Sequence, residues 1–203
     1  KTGDVFSYQE HGPAFTASIA DLTGGLQSVL VHHVLPKLPD IGQRLQDDLK
    51  VLDMVCGAGG LMLRLAGAFP AMTCVGVDVD GHGIELAALE IDRAGMVGRV
   101  SAELVDGGDI GHENEFDLVT MFEVLHELPL AVRDQVMANC AKALKPGGKL
   151  LIIDETYPAK SSDLRKPEYF FPVLTGYNEM TWGNVVPTRA DQDKLIADAG
   201  LVE

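Results

Sequence analysis

The chain has 203 residues, about one and a third average domains, so one full domain with a sizeable core is the natural expectation. Hydrophobic residues at 46% and charged residues at 23% are ordinary globular proportions. Sixteen Lys and Arg against 30 Asp and Glu leave a net charge of −14, which repels phosphate backbones and anionic membranes and speaks against direct nucleic-acid contact or membrane docking by this region. No uninterrupted apolar run approaches the roughly 18 residues of a spanning helix, and no basic-then-apolar leader opens the chain. Cys56, Cys74 and Cys140 are isolated, with neither a CxxC pair nor a disulfide framework, which points to a reduced, cytoplasmic setting.

In chain order, residues 1–49 form a helical lead-in. Phe6, Tyr8, Phe15, Ile19, Leu22, Leu26, Leu30 and Leu35 predict helices, broken at Gly24–Gly25 and at Pro36 and Pro39. From residue 50 to 203, short apolar runs alternate with helix-period segments, the pattern of an α/β domain with a mostly parallel sheet covered on both faces. The predicted strands are Lys50–Val55, Thr73–Asp78, Ser101–Gly107, Phe116–Val124 and Lys149–Glu155. Ile84, Ala87, Ala88 and Ile91 predict a helix that Gly95 ends, and Val132, Val136, Cys140 and Leu144 form an i+4 stripe on another. Thr188 with Asp191 marks a helix start, and Gly200 a stop.

The chemistry concentrates where strands end. In Asp53-Met54-Val55-Cys56-Gly57-Ala58-Gly59-Gly60 a strand turns into a helix near Leu61, and glycines there allow a sharp turn and close approach of a ligand to free helix N–H groups. A dinucleotide fingerprint would need a third glycine where Met62 stands, which disfavours a nucleotide-dependent oxidoreductase. Asp78 ends the second strand about twenty residues later, where a carboxylate can accept both ribose hydroxyls of a nucleoside; the plainer role is an N-cap or solvated strand end.

These motifs, in this order over roughly residues 50–200, resemble the class I S-adenosylmethionine-dependent methyltransferases of small-molecule type. The resemblance implies a Rossmann-like doubly wound sheet and S-adenosylmethionine as cofactor. Asp53, Gly57 and Gly59 would hold the methionine end and Asp78 the ribose, with Val79 beside it. Asp109 would meet the adenine amino group, with Asp106 the competing acid, while Ile110 packs on the ring and Phe122 closes the fourth strand against the cofactor. Phe116-Asp117-Leu118-Val119 resembles the family's fourth strand, and Leu144-Lys145-Pro146-Gly147-Gly148-Lys149-Leu150 its helix–turn–strand before the fifth.

Val55 departs from the pattern, which has glycine there. A β-branched residue cannot take positive φ cheaply, so the expectation is an ordinary strand conformation at Val55; the alternative is weakened binding or a degenerate site. The resemblance makes His126 the candidate base, suited by a pKa near neutrality, and either Asp154 or Glu155 its orienting acid, since strand alternation lets only one face the site. Its plainer role is a histidine that takes no part in proton transfer. His32, His33, His82 and His112 read as surface or turn residues, and no cluster has metal-ligand spacing. Residues 157–182 hold six of the twelve aromatics, a wall for an apolar acceptor or else a dimer interface or local packing. Tyr8 and His11 are candidates to close the pocket from the other side.

The function expected is methyl transfer to a hydroxyl or amine of a small-molecule substrate. The competing expectation is a non-catalytic cofactor- or ligand-sensing domain of a transcriptional regulator. The family uses seven strands and only five are visible, with Leu201-Val202-Glu203 resembling the start of a sixth. The unpaired fifth-strand edge therefore implies a homodimer across it or a longer native protein.

Overall fold

A computed structural model of the chain describes residues 11–202; Phe6, Tyr8 and Glu203 lie outside that range. Five strands form one parallel sheet in the order β3-β2-β1-β4-β5: β1 is Lys50–Met54, β2 Thr73–Asp78, β3 Val100–Leu104, β4 Phe116–Phe122 and β5 Leu144–Ile153. All five predicted strands are present, with ends shifted by a few residues. The largest shift is at β5, where pairing begins at Leu144 opposite Phe116 and resumes at Lys149 opposite Leu118. The Lys145–Gly148 turn is thus a bulge inside the strand, made possible by Gly147 at φ 81°.

Alternation along β1 divides the core. Val51 joins Leu61, Met62, Leu65 and Ile91 on the face covered by α3 (Gly60–Ala68) and α4 (Gly81–Arg93). Leu52 and Met54 join Val136, Met137 and Cys140 on the face covered by α5 (Leu130–Ala143), which continues to α7 (Arg189–Asp198). Thr188 and Asp191 form the capping box of α7, and Gly95 and Gly200 take φ 66° and 76° as helix stops.

The lead-in departs from expectation in one respect. Helix α1 runs unbroken over Pro13–Val29 through Gly24–Gly25, because α3 and α4 support it from below and Gly24 lets the Arg64 guanidinium approach. The break falls instead at the proline, where a π-turn (Leu30–Val34) and a 3₁₀ turn (Leu35–Lys37) tighten the chain before the short α2 (Ile41–Arg44). The helical run Pro13–Lys37 has 25 residues, and an 18-residue window within it reaches a mean hydropathy of 1.2, enough by length and composition for a membrane span, yet Leu30, Val31 and Leu35 are packed inside the core.

Asp117 of the fourth-strand motif lies at the start of β4, at the opposite end of the sheet from the strand C-termini. Buried to 8% exposure, it accepts hydrogen bonds from Arg44 of α2 (3.0 Å), the Lys50 backbone N–H (3.0 Å) and Lys145 of the β5 bulge (2.7 Å). Burial pushes its pKa up, but these donors outweigh burial and hold it below the usual value. Asp117→Ala should therefore cost about 2–3 kcal/mol in chemical denaturation at pH 7. A depressed pKa contributes stability above the unfolded value and loses it on acidification, so the wild-type advantage should shrink as the pH falls below about 4.

Candidate active site

Strand order reverses between β1, followed by α3 on one face, and β4, followed by α5 on the other. Their C-terminal ends therefore open the crevice where parallel sheets bind ligands. At its floor Asp53 pairs in register with Thr120, whose hydroxyl donates to the carboxylate at 2.6 Å. Burial raises the Asp53 pKa to about 7, Thr120 opposes the shift, and Asp78 adds to it.

Beyond β1 the chain turns through Val55–Gly59. Gly57 and Gly59 take φ 53° and 75°, and a side chain on Gly57 would meet nothing within 4 Å, leaving an open cradle above that turn. Asp78 is not a solvated strand end: at 5% exposure its two carboxylate oxygens accept the N–H of Gly57 at 2.7 Å and of Asp80 at 2.8 Å. The N-cap role belongs to Asp80, which receives the N–H groups of His82 and Gly83. Burial raises the Asp78 pKa, and those backbone N–H bonds oppose it. Met62, where a dinucleotide site has glycine, is fully buried, with room supplied by Gly76 of β2, whose side chain would collide with Met62 Cε at 2.5 Å.

The strand conformation expected at Val55 is not observed. Val55 has φ 57°, a left-handed geometry that favours glycine, so the valine bears backbone strain at the turn. Glu123 does the same just beyond β4, at φ 56°.

Past Glu123, Asp154 at the end of β5 is the acid that faces His126. Asp154 Oδ1 lies 2.7 Å from His126 Nδ1, and Oδ2 accepts the backbone N–H groups of Val124, Leu125 and His126. Glu155 makes no hydrogen bond to His126; its carboxylate accepts one from Thr175 of α6 (Phe170–Thr181). Arg133, 4% exposed on α5, donates to the carbonyls of His126, Leu128 and Val185 and fixes the loop from beneath. His126 itself is 4% exposed, and Glu179 of α6 brings Oε1 to 4.0 Å from its Nε2, with Asn184 holding the other Glu179 oxygen at 2.8 Å. Burial disfavours the imidazolium, but Asp154, Glu127 and Glu179 outweigh it and raise the His126 pKa to about 9. His126, Glu127 and Glu179 also place potential cation ligands within 4.8 Å of one another, a grouping invisible in sequence because Glu179 arrives from a distant helix.

The aromatic segment becomes α6 and the turns before it. Gly176 lets α6 close on the Tyr157 ring, which would meet a side chain at 2.8 Å. Tyr169 and Phe171, with Glu123, Asp154, Glu155 and Arg189, line a cavity of about 480 Å³ beside the His126–Asp154 pair. Asp53, Gly57, Gly59 and Asp78 thus converge at the crevice, whereas Phe122 (9% exposed) and Ile110 (6%) are buried in two different core clusters. Val79 is 49% exposed at the rim; Asp109 is exposed, and Asp106 is occupied in a turn with the Gly108 N–H at 2.8 Å. His32 and His33 are exposed and His82 lies in the first turn of α4, whereas His112 is neither surface nor turn: half-buried in the loop before β4, it packs edge-on against Phe116 with Nδ1 3.2 Å from Glu115. Thr120, Glu123, Arg133 and Glu179 carry no local sequence signal.

Residues 51–148 match the family described as the methyltransferase domain. That match covers just under half of the chain. It is 36% identical over 114 residues to a ubiquinone biosynthesis O-methyltransferase of Thiobacillus denitrificans, covering 55% of this chain and 47% of the relative. It is 33% identical over 175 residues to the methyltransferase GfsG of Streptomyces halstedii, covering 81% and 60%. The chain therefore spans about half the length of the curated relatives it matches. The fold is shared with an O-methyltransferase family protein of Burkholderia thailandensis (TM-score 0.70, 21% identity, 93% of this chain and 54% of that one). It is also shared with NcsB1, an O-methyltransferase from neocarzinostatin biosynthesis solved with S-adenosyl-L-homocysteine and 1,4-dihydroxy-2-naphthoic acid (TM-score 0.71, 19% identity, 93% and 53%).

A glycine at this position should relieve the strain: Val55→Gly is expected to raise unfolding free energy by about 1 kcal/mol in denaturant titration. A loss of stability instead would mean that the packing of the valine side chain outweighs its backbone strain.

Proposed function

We propose that the chain transfers a methyl group from S-adenosylmethionine to a hydroxyl or amine of a small-molecule acceptor. The observation that carries this reading is the juxtaposition, across one switch point, of an open glycine cradle tied to a buried acid with a histidine–carboxylate pair beside a cavity. The matched domain and relatives named as O-methyltransferases support it.

The residues fit the cofactor. Gly57 leaves backbone space open, and Asp78 retains acceptor capacity for ribose hydroxyls beyond its two backbone bonds. Asp53, Gly57 and Gly59 would hold the methionine end, Asp78 and Val79 the ribose, and Asp109, Ile110 and Phe122 the adenine side. When bound, the cofactor supplies a methyl group activated on a sulfonium, so the remaining task of the protein is alignment and proton removal. The acceptor would enter the cavity walled by Tyr169 and Phe171, where Glu123, Asp154 and Glu155 favour hydroxyl or amine donors over anionic groups. His126 would take the acceptor proton at Nε2 while Asp154 holds Nδ1 and fixes the tautomer. Access to Nε2 requires Glu179 and α6 to yield, because that nitrogen is covered here.

Two measurements test this reading. In a thermal-shift screen, S-adenosylmethionine and S-adenosylhomocysteine should stabilise the chain and NAD should not. Asp78→Ala should abolish cofactor binding by calorimetry, and unchanged affinity would remove Asp78 from the site. Binding without turnover of any acceptor would favour the sensing alternative.

The pH profile tests the base. Because the pKa of His126 is raised to about 9, its neutral form accumulates only as the pH climbs, and turnover should rise towards pH 9. The raised pKa also contributes stability that is complete below about 6.5 and is lost as the pH rises through about 9. Asp154→Asn should move the activity limb to lower pH, and His126→Ala should cut turnover by about 10²-fold or more with cofactor binding retained. Near-wild-type turnover of His126→Ala would rule it out as the base.

A further inference from the structure

Helix α1 is built inside out. Its exposed side carries Leu22 (78% exposed), Leu26 (46%) and Val29 (47%), while the buried residues within it are Thr16 (5%) and Gln27 (9%). Burying a polar side chain is unfavourable unless it makes hydrogen bonds, so a helix that merely packed would turn its leucines inward. Thr16 and Gln27 are eleven residues apart, three turns on one face, and each meets the start of a helix bordering the glycine turn.

At one end the Thr16 hydroxyl donates to Asp80 at 3.0 Å. Asp80 caps α4, its N–H is held by Asp78 at 2.8 Å, and Asp78 holds the Gly57 N–H at 2.7 Å. Gly83, in the first turn of α4, sits so close that a side chain there would lie 3.1 Å from the Gly57 carbonyl. Three polar contacts therefore link α1 to the cradle without a gap. At the other end Gln27 donates through Nε2 to Thr23 at 3.3 Å, and its buried Oε1 has no hydrogen-bond partner among the described residues. That oxygen lies 2.8 Å from where a side chain on Gly60, the first residue of α3, would begin.

We propose that Thr16 and Gln27 are positioning residues for the cofactor: α1 braces the starts of α3 and α4 and so sets the width and rigidity of the Gly57 cradle between them. The proposal rests on the assignment of that cradle to S-adenosylmethionine. Neither side chain is assigned a contact with the cofactor; both act through Asp80, Asp78 and Gly60.

The test compares Thr16→Val, which keeps the shape and removes the donor, with Thr16→Ser, which restores it, and with Leu22→Ser on the exposed face. Calorimetry should show Thr16→Val and Gln27→Leu weakening S-adenosylmethionine binding about tenfold. Thr16→Ser and Leu22→Ser should bind like wild type. Hydrogen exchange without ligand should show faster amide exchange across residues 55–60 and 78–84 in Thr16→Val, with β3 unchanged. Wild-type affinity and wild-type exchange in Thr16→Val would overturn the proposal. So would a lower melting temperature with an unchanged Kd for the folded fraction, the signature of a merely structural role. Failure of wild type to bind the cofactor would refute the cradle assignment, and the two failures are thereby distinguished.

Discussion

The carboxylate of Asp78 is the point on which the crevice hangs. It ends β2, yet its two oxygens are spent on neighbouring backbone: one on Gly57, 21 residues earlier, the other on Asp80, two residues later. An acid at 5% exposure with no cation bonded to it among the described residues is expensive to bury, and its N–H donors offset that cost. The arrangement fixes a glycine turn that has few side chains of its own to pack. It also hands the position of that turn on to Asp80, α4 and, through Thr16, α1.

Across the switch point the polar groups follow a different logic. Asp154 collects three consecutive backbone N–H groups and one imidazole nitrogen, so the loop after β4 is shaped by a residue at the end of β5. Arg133 takes carbonyls from the same loop, leaving its charge to offset the acids above it. Glu123 is half-surrounded by Asp154, Glu155 and Glu179; burial and those charges raise its pKa to about 7, against the opposing pull of His126. Glu123 thus titrates near neutrality beside the proposed base, so the histidine does not act in electrostatic isolation.

Much of this was legible from residue order because the signals were local. Lys50–Met54 announced itself by an apolar run leading into a glycine turn, Thr73–Asp78 by one ending in an acid, and the capping box at Thr188 by its three-residue spacing. Gly24–Gly25 misled because helix breaking is a local propensity of about 1 kcal/mol per glycine, which support from two underlying helices overrides. Val55 misled for the opposite reason: its propensity favours a strand, but the turn between β1 and α3 leaves one backbone geometry open. Asp154 over Glu155 was undecidable without knowing which face of β5 meets the β4 loop. Thr16, Arg133 and Glu179 matter through partners tens of residues away, and no spacing rule reaches that far.

The exchange between Met62 and Gly76 bears on how such a cleft can be redesigned. In a dinucleotide fold the helix surrenders its side chain so that strand and helix can meet; here the strand has done so, and a methionine fills the gap. Introducing only the missing helix glycine would leave an unfilled hole under the turn, while enlarging only Gly76 would collide with both Met62 and Cys56. The two positions form a single volume, and any route from one cofactor class to the other has to change them together.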